Sequence, residues 1–127
     1  MGIVDKGRDA VGGRTLALTP WQERKVLRYV EEHLGRPIRT PELASLVGLS
    51  ISQFSRRFRG SFGLPPCEYM IRTRLDRAKA LMRQSRAPLC EIALDSGFCD
   101  QAHMSRLFHA FVGDTPRRWR RENMIAI

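Results

Sequence analysis

The stretch GFCDQAHMSRLFHAFVGDTPRRW, residues 97–119, decides the fold of this chain. It begins at a glycine, and its apolar residues then recur with the period of a helix until a second glycine, Gly113. At 100° per residue, one side of this helix carries Met104, Leu107, Phe108, Phe111 and Val112. The opposite side carries Ala102, Arg106 and His109, flanked by His103 and Ser105. The pattern predicts a short helix that buries one face and exposes a polar face.

A second copy of this pattern lies about 50 residues earlier in the chain. In that copy the residues Phe54, Phe58, Gly63 and Pro66 correspond to Met104, Phe108, Gly113 and Pro116. Before each helix, Leu43-Ala44 and Gly48 correspond to Ile92-Ala93 and Gly97, with an offset that is one residue shorter. A short helix, a glycine turn and an amphipathic helix together are typical of a helix-turn-helix. The chain therefore contains two predicted units of this kind.

The remaining segments also show helical periodicity, and none shows the alternation of a strand, so the sequence predicts an all-α fold. Seven helices are expected, beginning near Pro20 with a Thr19–Gln22 capping box, near Thr40, after Ser50, at 66–84, at about 89–96, after Asp100 and at Pro116. Ile51 is expected to face the core with Phe54, Phe58 and Phe62, and the fifth helix holds the apolar residues Ile92, Ala93 and Leu94. The predicted organisation is a flexible leader or linker remnant at 1–18, a first helix-turn-helix subdomain plus linker helix at 19–86, and a second subdomain at 87–127.

The composition narrows the class of partner. Apolar residues make up 43% of the 127 residues, which is enough for a packed core. Lys and Arg number 22 against 13 Asp and Glu, and the net charge of +9 favours a polyanion, nucleic acid before an acidic membrane surface. No window approaches the roughly 20 apolar residues of a membrane span, and no secretory signal is recognisable.

The cysteines indicate neither a disulfide framework nor a metal site. Cys67, Cys90 and Cys99 are odd in number and form no C-x-x-C pair, which is typical of free thiols in a reducing cytosol. Cys99 and His103 are spaced to share a metal on one helix face, but a structural zinc ion needs four ligands. We therefore predict no metal and no cofactor.

The polar faces of the third and sixth helices favour DNA. The matching face of the third helix carries Ser52, Arg56 and Arg59, flanked by Gln53 and Ser55. An arginine can pair with O6 and N7 of guanine, whereas Gln, Ser and His make smaller base contacts. A merely solvated face usually mixes Glu with Lys, yet neither 51–60 nor 101–112 contains a carboxylate. The fourth helix, about 28 Å long, is also suited to hold two reading helices near the roughly 34 Å spacing of successive major grooves.

These residues resemble the DNA-binding domain of AraC/XylS-type bacterial transcription regulators over about residues 20–121. The most specific part is I-A-x-x-x-G-F-x-D-Q-x-x-x-S-R-x-F-x-x-x-x-G-x-T-P at 92–116, supported by R-L-x-x-A-K-x-L-M at 74–82 and L-A-x-x-x-G-L-S at 43–50. The resemblance implies a seven-helix fold that binds promoter DNA through both units and mostly activates transcription in the bacterial cytoplasm, at the nucleoid. RNA polymerase is the implied partner, with an effector or dimerisation domain outside this chain.

The resemblance also implies which residues contact DNA. Base reading falls on Ser52, Gln53, Ser55, Arg56, Gln101, Ala102, His103, Ser105 and Arg106. Phosphate contacts are expected from Arg59, His109 and Arg39.

Three other functions fit parts of the sequence less well. A non-specific architectural DNA-binding protein would also be basic, but it would not need two sorted reading faces. An enzyme would need a nucleophile, base or metal grouped in a pocket, and no such spacing is present. A membrane-surface protein would need an apolar helix face that is not matched by another helix.

Overall fold

The computed structural model describes residues 16–124, and these form seven α-helices without a strand. The helices are α1 (Pro20–Glu32), α2 (Thr40–Leu46), α3 (Ile51–Phe62), α4 (Pro66–Gln84), α5 (Leu89–Asp95), α6 (Gln101–Val112) and α7 (Pro116–Asn123). The all-α, seven-helix prediction is confirmed. Of the predicted leader, residues 1–15 lie outside the described residues.

The described residues divide into two compact units. The first comprises 16–31 and 38–69, and the second comprises 32–37 and 70–124. Helix α4 is thus continuous through the division, which falls between Tyr69 and Met70. The short segment 32–37, which begins with the last residue of α1, belongs to the second unit.

The first unit is built around the aromatic side of α3. Phe54 and Phe58 are fully buried, with ring centroids 5.6 Å apart, and Tyr69 packs edge-on against Phe58 at 5.3 Å. Helix α1 begins with the predicted capping box: the Thr19 amide donates to Gln22 Oε1 at 2.9 Å, and the Gln22 amide donates to Thr19 Oγ1 at 3.1 Å. The buried apolar residues of this unit are Leu18, Val26, Val30, Leu43, Ala44, Val47, Phe54 and Phe58.

The predicted leader, residues 1–18, includes Leu18, but this residue is buried in the first unit. Its amide donates to Ser61 Oγ at 2.9 Å. The folded part of the chain therefore begins before the Thr19 cap.

The second unit repeats this arrangement with a different core composition. Its core consists of Leu75, Ala78, Met82, Ile92, Ala93, Phe98, Met104 and Phe108, and Trp119 packs edge-on against Phe108 at 5.8 Å. The side chain of Arg120 closes the end of α4, because its guanidinium donates to the carbonyl oxygens of Met82, Ser85 and Ala87 at 2.6–3.2 Å. Met82 lies in the last turn of α4, where carbonyls lack a partner within the helix, and Ser85 and Ala87 follow the helix, so Arg120 acts as a C-terminal cap.

Ile51, which was expected to face the core, is exposed, and so is Leu94 of α5. Ile51 has the same helical phase as Phe58 but is 52% exposed, because it is the first residue of α3 and lies at the end of the helix. Leu94 is 56% exposed, because α5 turns Ile92 and Ala93 toward the core and leaves the next residue outside. Helical phase gives the direction in which a side chain points, whereas burial also requires a neighbouring element at the same position along the helix axis.

Candidate nucleic-acid interface

The two helix-turn-helix turns have the same backbone geometry. In the first, the Leu49 amide donates to the Ala44 carbonyl at 3.0 Å, and Gly48 has φ of 70°. In the second, the Phe98 amide donates to the Ala93 carbonyl at 2.9 Å, and Gly97 has φ of 90°. This is the Schellman ending of a helix, which requires a left-handed residue and therefore favours glycine. The sequence repeat thus corresponds to a structural repeat.

The second helix of each unit begins and ends at defined caps. Ser50 Oγ accepts from the Gln53 amide at 3.1 Å at the start of α3, and Asp100 Oδ1 accepts from the His103 amide at 2.8 Å at the start of α6. Both helices end at a left-handed glycine, after 12 residues each. α3 and α6 are therefore matched in length and in their caps.

The faces predicted to read DNA lie on the surface of each unit. Ser52, Arg56 and Arg59 are exposed on α3, opposite the buried Phe54 and Phe58. Ala102, Arg106 and His109 are exposed on α6, opposite the buried Met104 and Phe108. The predicted helix phases are confirmed. The assignment of these side chains to base or phosphate contacts stays a prediction.

The flanking residues are more constrained than the central ones. Gln53 is exposed, but its Oε1 accepts from the Ser50 amide at 3.1 Å. His103 is half-buried, and its Nδ1 accepts from the Cys99 amide at 3.2 Å while the ring packs edge-on against Phe98. In both Gln53 and His103, one polar atom accepts a hydrogen bond at the start of the helix, and the other, the Nε2 nitrogen, can contact another partner. The other flanking residues, Gln101, Ser55 and Ser105, are half-buried.

Arg39 is exposed at the position before α2, and its amide donates to Glu42 Oε1 at 3.5 Å. Its role as a phosphate contact stays a prediction.

Three basic residues of α4 lie over aromatic rings of the second unit. The Arg72 guanidinium lies 5.2 Å from the centroid of Phe111. Lys79 Nζ and the Arg83 guanidinium lie 5.7 Å and 5.6 Å from the centroid of Trp119. Lys79 and Arg83 are half-buried and Arg72 is exposed, and all three pack against the second unit through cation–π contacts.

The part of the chain that the structure describes holds no group of three residues suited to bind a metal ion. Across residues 16–124, no helix combines the length and the apolar character that crossing a bilayer would require.

Two arginines with structural roles were not identified from the sequence. Arg120 caps α4, and Arg74 of α4 is buried with its guanidinium on backbone carbonyls. A signal for Arg74 was available: it precedes Leu75 and lies close to the helical phase of Ala78 and Met82, where a charged residue is unusual. Its partners are backbone atoms distant in sequence, and no pattern identifies those.

A family model described as a helix-turn-helix domain matches residues 43–122. Among characterised proteins, the chain is similar to a probable transcriptional regulator, LumQ, of Photobacterium leiognathi, with 35% identity over 81% of this chain and 45% of the relative. It is also similar to the HTH-type transcriptional activator RhaS of Shigella boydii, with 34% identity over 72% of this chain and 33% of the relative. The chain thus spans less than half the length of either relative.

Solved structures of transcription regulators are also similar to this chain. The chain is similar to an AraC-type transcriptional regulator from Chromobacterium violaceum, with a TM-score of 0.73 and 28% identity over 80% of this chain and 91% of that one. It is also similar to the DNA-binding domain of the global transcriptional factor AdpA, solved in complex with a target DNA. The TM-score is 0.74, with 27% identity over 78% of this chain and 89% of that one.

Proposed function

The chain belongs to the AraC-type helix-turn-helix family of transcription regulators, and on that premise we propose that it binds double-stranded promoter DNA with sequence specificity. This family consists of DNA-binding regulators and not of enzymes. One observation carries the proposal: each unit presents, on a capped helix after a glycine turn, an exposed face that contains arginine and no carboxylate.

The proposed mechanism assigns different work to different side chains. Helices α3 and α6 each enter a major groove, where Arg56 and Arg106 each donate two guanidinium N–H groups to O6 and N7 of a guanine. Arg59, His109 and Arg39 contact phosphates, which supplies affinity without sequence information. Ala102 offers a methyl contact to thymine, so specificity in the second unit rests mainly on Arg106 and its neighbours.

Regulation of transcription is a further part of the proposal. RhaS is named a transcriptional activator, which supports activation as the outcome of binding by this chain as well. Activation implies contact with RNA polymerase in the bacterial cytoplasm. An effector or dimerisation domain outside this sequence is proposed on the length of the relatives, of which the chain spans 45% and 33%.

Selection of bound fragments from a random DNA pool tests the proposal most directly. We expect an enriched motif with two half-sites, which a titration at fixed salt then compares with a scrambled duplex. Specific sites are typically bound about 10³–10⁷ times more tightly than random DNA. Equal affinity for both duplexes would instead support a non-specific architectural protein, the alternative that the net charge of +9 favours.

Variants of each unit locate the contacts. Arg56→Ala is expected to lower the base preference in one half-site, and Arg106→Ala is expected to lower it in the other. As a control, Arg86→Ala removes an exposed arginine from the α4–α5 loop and should leave the base preference of both half-sites unchanged. Enrichment of a single half-site would show that one unit dominates binding.

A further inference from the structure

Arg74 is a buried cation in the second unit. It is 7% exposed, and its guanidinium donates to three backbone carbonyl oxygens, those of Leu34, Arg36 and Ser96. The distances to Arg36 O and Ser96 O are 2.9 Å and 3.5 Å. Among the described carboxylates, none forms an ion pair with this guanidinium. Carbonyl dipoles therefore replace the water that the charge loses on burial.

Burial of this guanidinium disfavours its charged form and so affects its pKa. Burial, together with the positive charge of Arg36, lowers the pKa of the Arg74 guanidinium. An arginine nevertheless remains protonated at neutral pH, so the charge persists inside the unit.

The three carbonyls belong to two separate segments. Leu34 and Arg36 follow α1, whereas Ser96 ends α5 at the helix-turn-helix turn. A planar guanidinium has five N–H groups in a fixed fork and can serve acceptors in several directions at once. Arg74 thereby ties the α5–α6 turn to the chain that follows α1.

Gly97 lies directly against this guanidinium. A Cβ at residue 97 would be 1.7 Å from Arg74 Nη1 and 2.2 Å from the Leu34 carbonyl oxygen. The equivalent Gly48 of the first unit also has a positive φ, but a Cβ there would meet no atom within 4 Å. The second turn therefore carries a packing constraint that the first turn lacks.

We propose that Arg74 is a positioning residue for α6, and that it acts by holding the α5–α6 turn in the conformation from which the helix starts. Gly97 is followed by the buried Phe98, and Asp100 then caps α6, so a displaced turn also displaces the start of the helix. The inference deepens the proposed function, because it assumes that α6 reads DNA. It predicts that the specificity of one unit depends on a buried residue without access to DNA.

The first test needs no DNA. Amide hydrogen exchange, followed by NMR, is compared at Gly97 and Phe98 in the wild-type chain, Arg74→Met and Arg74→Lys. We expect exchange to accelerate at least about tenfold in the methionine variant. In the lysine variant we expect an intermediate acceleration, because an ammonium keeps the positive charge and its N–H donors but cannot span the carbonyls as the guanidinium fork does. Arg77→Met is the matched control and is expected to leave exchange at both amides unchanged, since Arg77 is exposed and donates at 2.9 Å to the carbonyl of Asp95, which belongs to α5 and not to the turn. A lysine variant indistinguishable from wild type would overturn the proposal.

The second test measures base preference in each half-site. Arg74→Met is expected to reduce discrimination about tenfold at the positions that Arg106→Ala affects, and to leave the positions that Arg56→Ala affects unchanged. An equal loss in both half-sites would show that Arg74 contributes general stability and would overturn the positioning role. If wild type shows no base preference, the proposed function fails, while the exchange result still decides whether Arg74 holds the turn.

A glycine pair covers the case in which the methionine variant does not fold. Gly97→Ala and Gly48→Ala both place a Cβ at a positive φ, of 90° and 70°, but only the former clashes with the guanidinium and the Leu34 carbonyl. We expect Gly97→Ala to reduce base discrimination in the half-site bound by α6 far more than Gly48→Ala reduces it in the half-site bound by α3. Equal effects of the two substitutions would contradict the proposal.

Discussion

Gln53 and His103 occupy the same position in the two units, and each side chain accepts a hydrogen bond from a backbone amide that precedes its helix. Gln53 Oε1 accepts from Ser50 N at 3.1 Å, and His103 Nδ1 accepts from Cys99 N at 3.2 Å. An imidazole that accepts at Nδ1 carries its proton on Nε2. His103 can therefore offer a donor, but not an acceptor, to a partner beyond the helix.

Replacement of His103 tests this capping role. His103→Ala is expected to lower the free energy of unfolding by about 0.5–1.5 kcal/mol, the usual contribution of one intramolecular hydrogen bond. His103→Gln should lose less, because the glutamine at the matching position 53 accepts from the N-cap amide of its own helix. Urea denaturation of the three chains measures both values. Identical stability of the alanine variant and wild type would show that the Cys99–His103 bond contributes nothing.

We predict that the specificity of the second unit depends most on Arg106. Arg106→Ala is expected to weaken binding to the selected site by about 1–3 kcal/mol and to relax one base position. Competition with single-base variants of the site gives both quantities, and Arg86→Ala controls for the loss of one positive charge. If binding to every duplex falls by the same factor, Arg106 contacts a phosphate instead of a base.

Phe58 and Phe108 each lie in the core of their own unit. Phe58 is 1% exposed and Phe108 is 0% exposed, so truncation of either to alanine should cost about 3–5 kcal/mol and unfold the unit concerned. Thermal melting monitored by circular dichroism shows the effect. Phe111→Ala is the milder comparison, because Phe111 is only half-buried. A normal melting curve for Phe58→Ala or Phe108→Ala would contradict the observed packing.

Ser96 offers a substitution that should stabilise the protein. Within residues 16–124, its hydroxyl oxygen is the buried side-chain polar atom without a hydrogen-bond partner. Burial of an unpaired polar group costs about 1–3 kcal/mol, and alanine removes that group with little change of shape. Ser96→Ala is therefore expected to raise the melting temperature, as calorimetry can measure. A lower melting temperature would mean that the hydroxyl has a partner in solution.

Much of the candidate site could be predicted because its signals are local. The repeat of Gly48 as Gly97, and of Ser50 as Asp100, marks the turns and caps directly in the sequence. The period of Phe54 and Phe58 then determines which face is exposed. The exposure of Ile51 could not be predicted, because burial at a helix end depends on which neighbours reach it.

The sequence by itself determined the helices, their caps, the repeat and the face that each second helix presents. These properties depend on residues within about four positions of one another, where backbone hydrogen bonding and side-chain period are decided. The tertiary structure decided which cations are free for a partner. Arg56 and Arg106 are exposed, whereas Arg74 and Arg120 are held by carbonyls, and Arg83 lies over Trp119. An arginine looks the same in sequence in all of these places, because its partners are brought near it only when distant segments pack together.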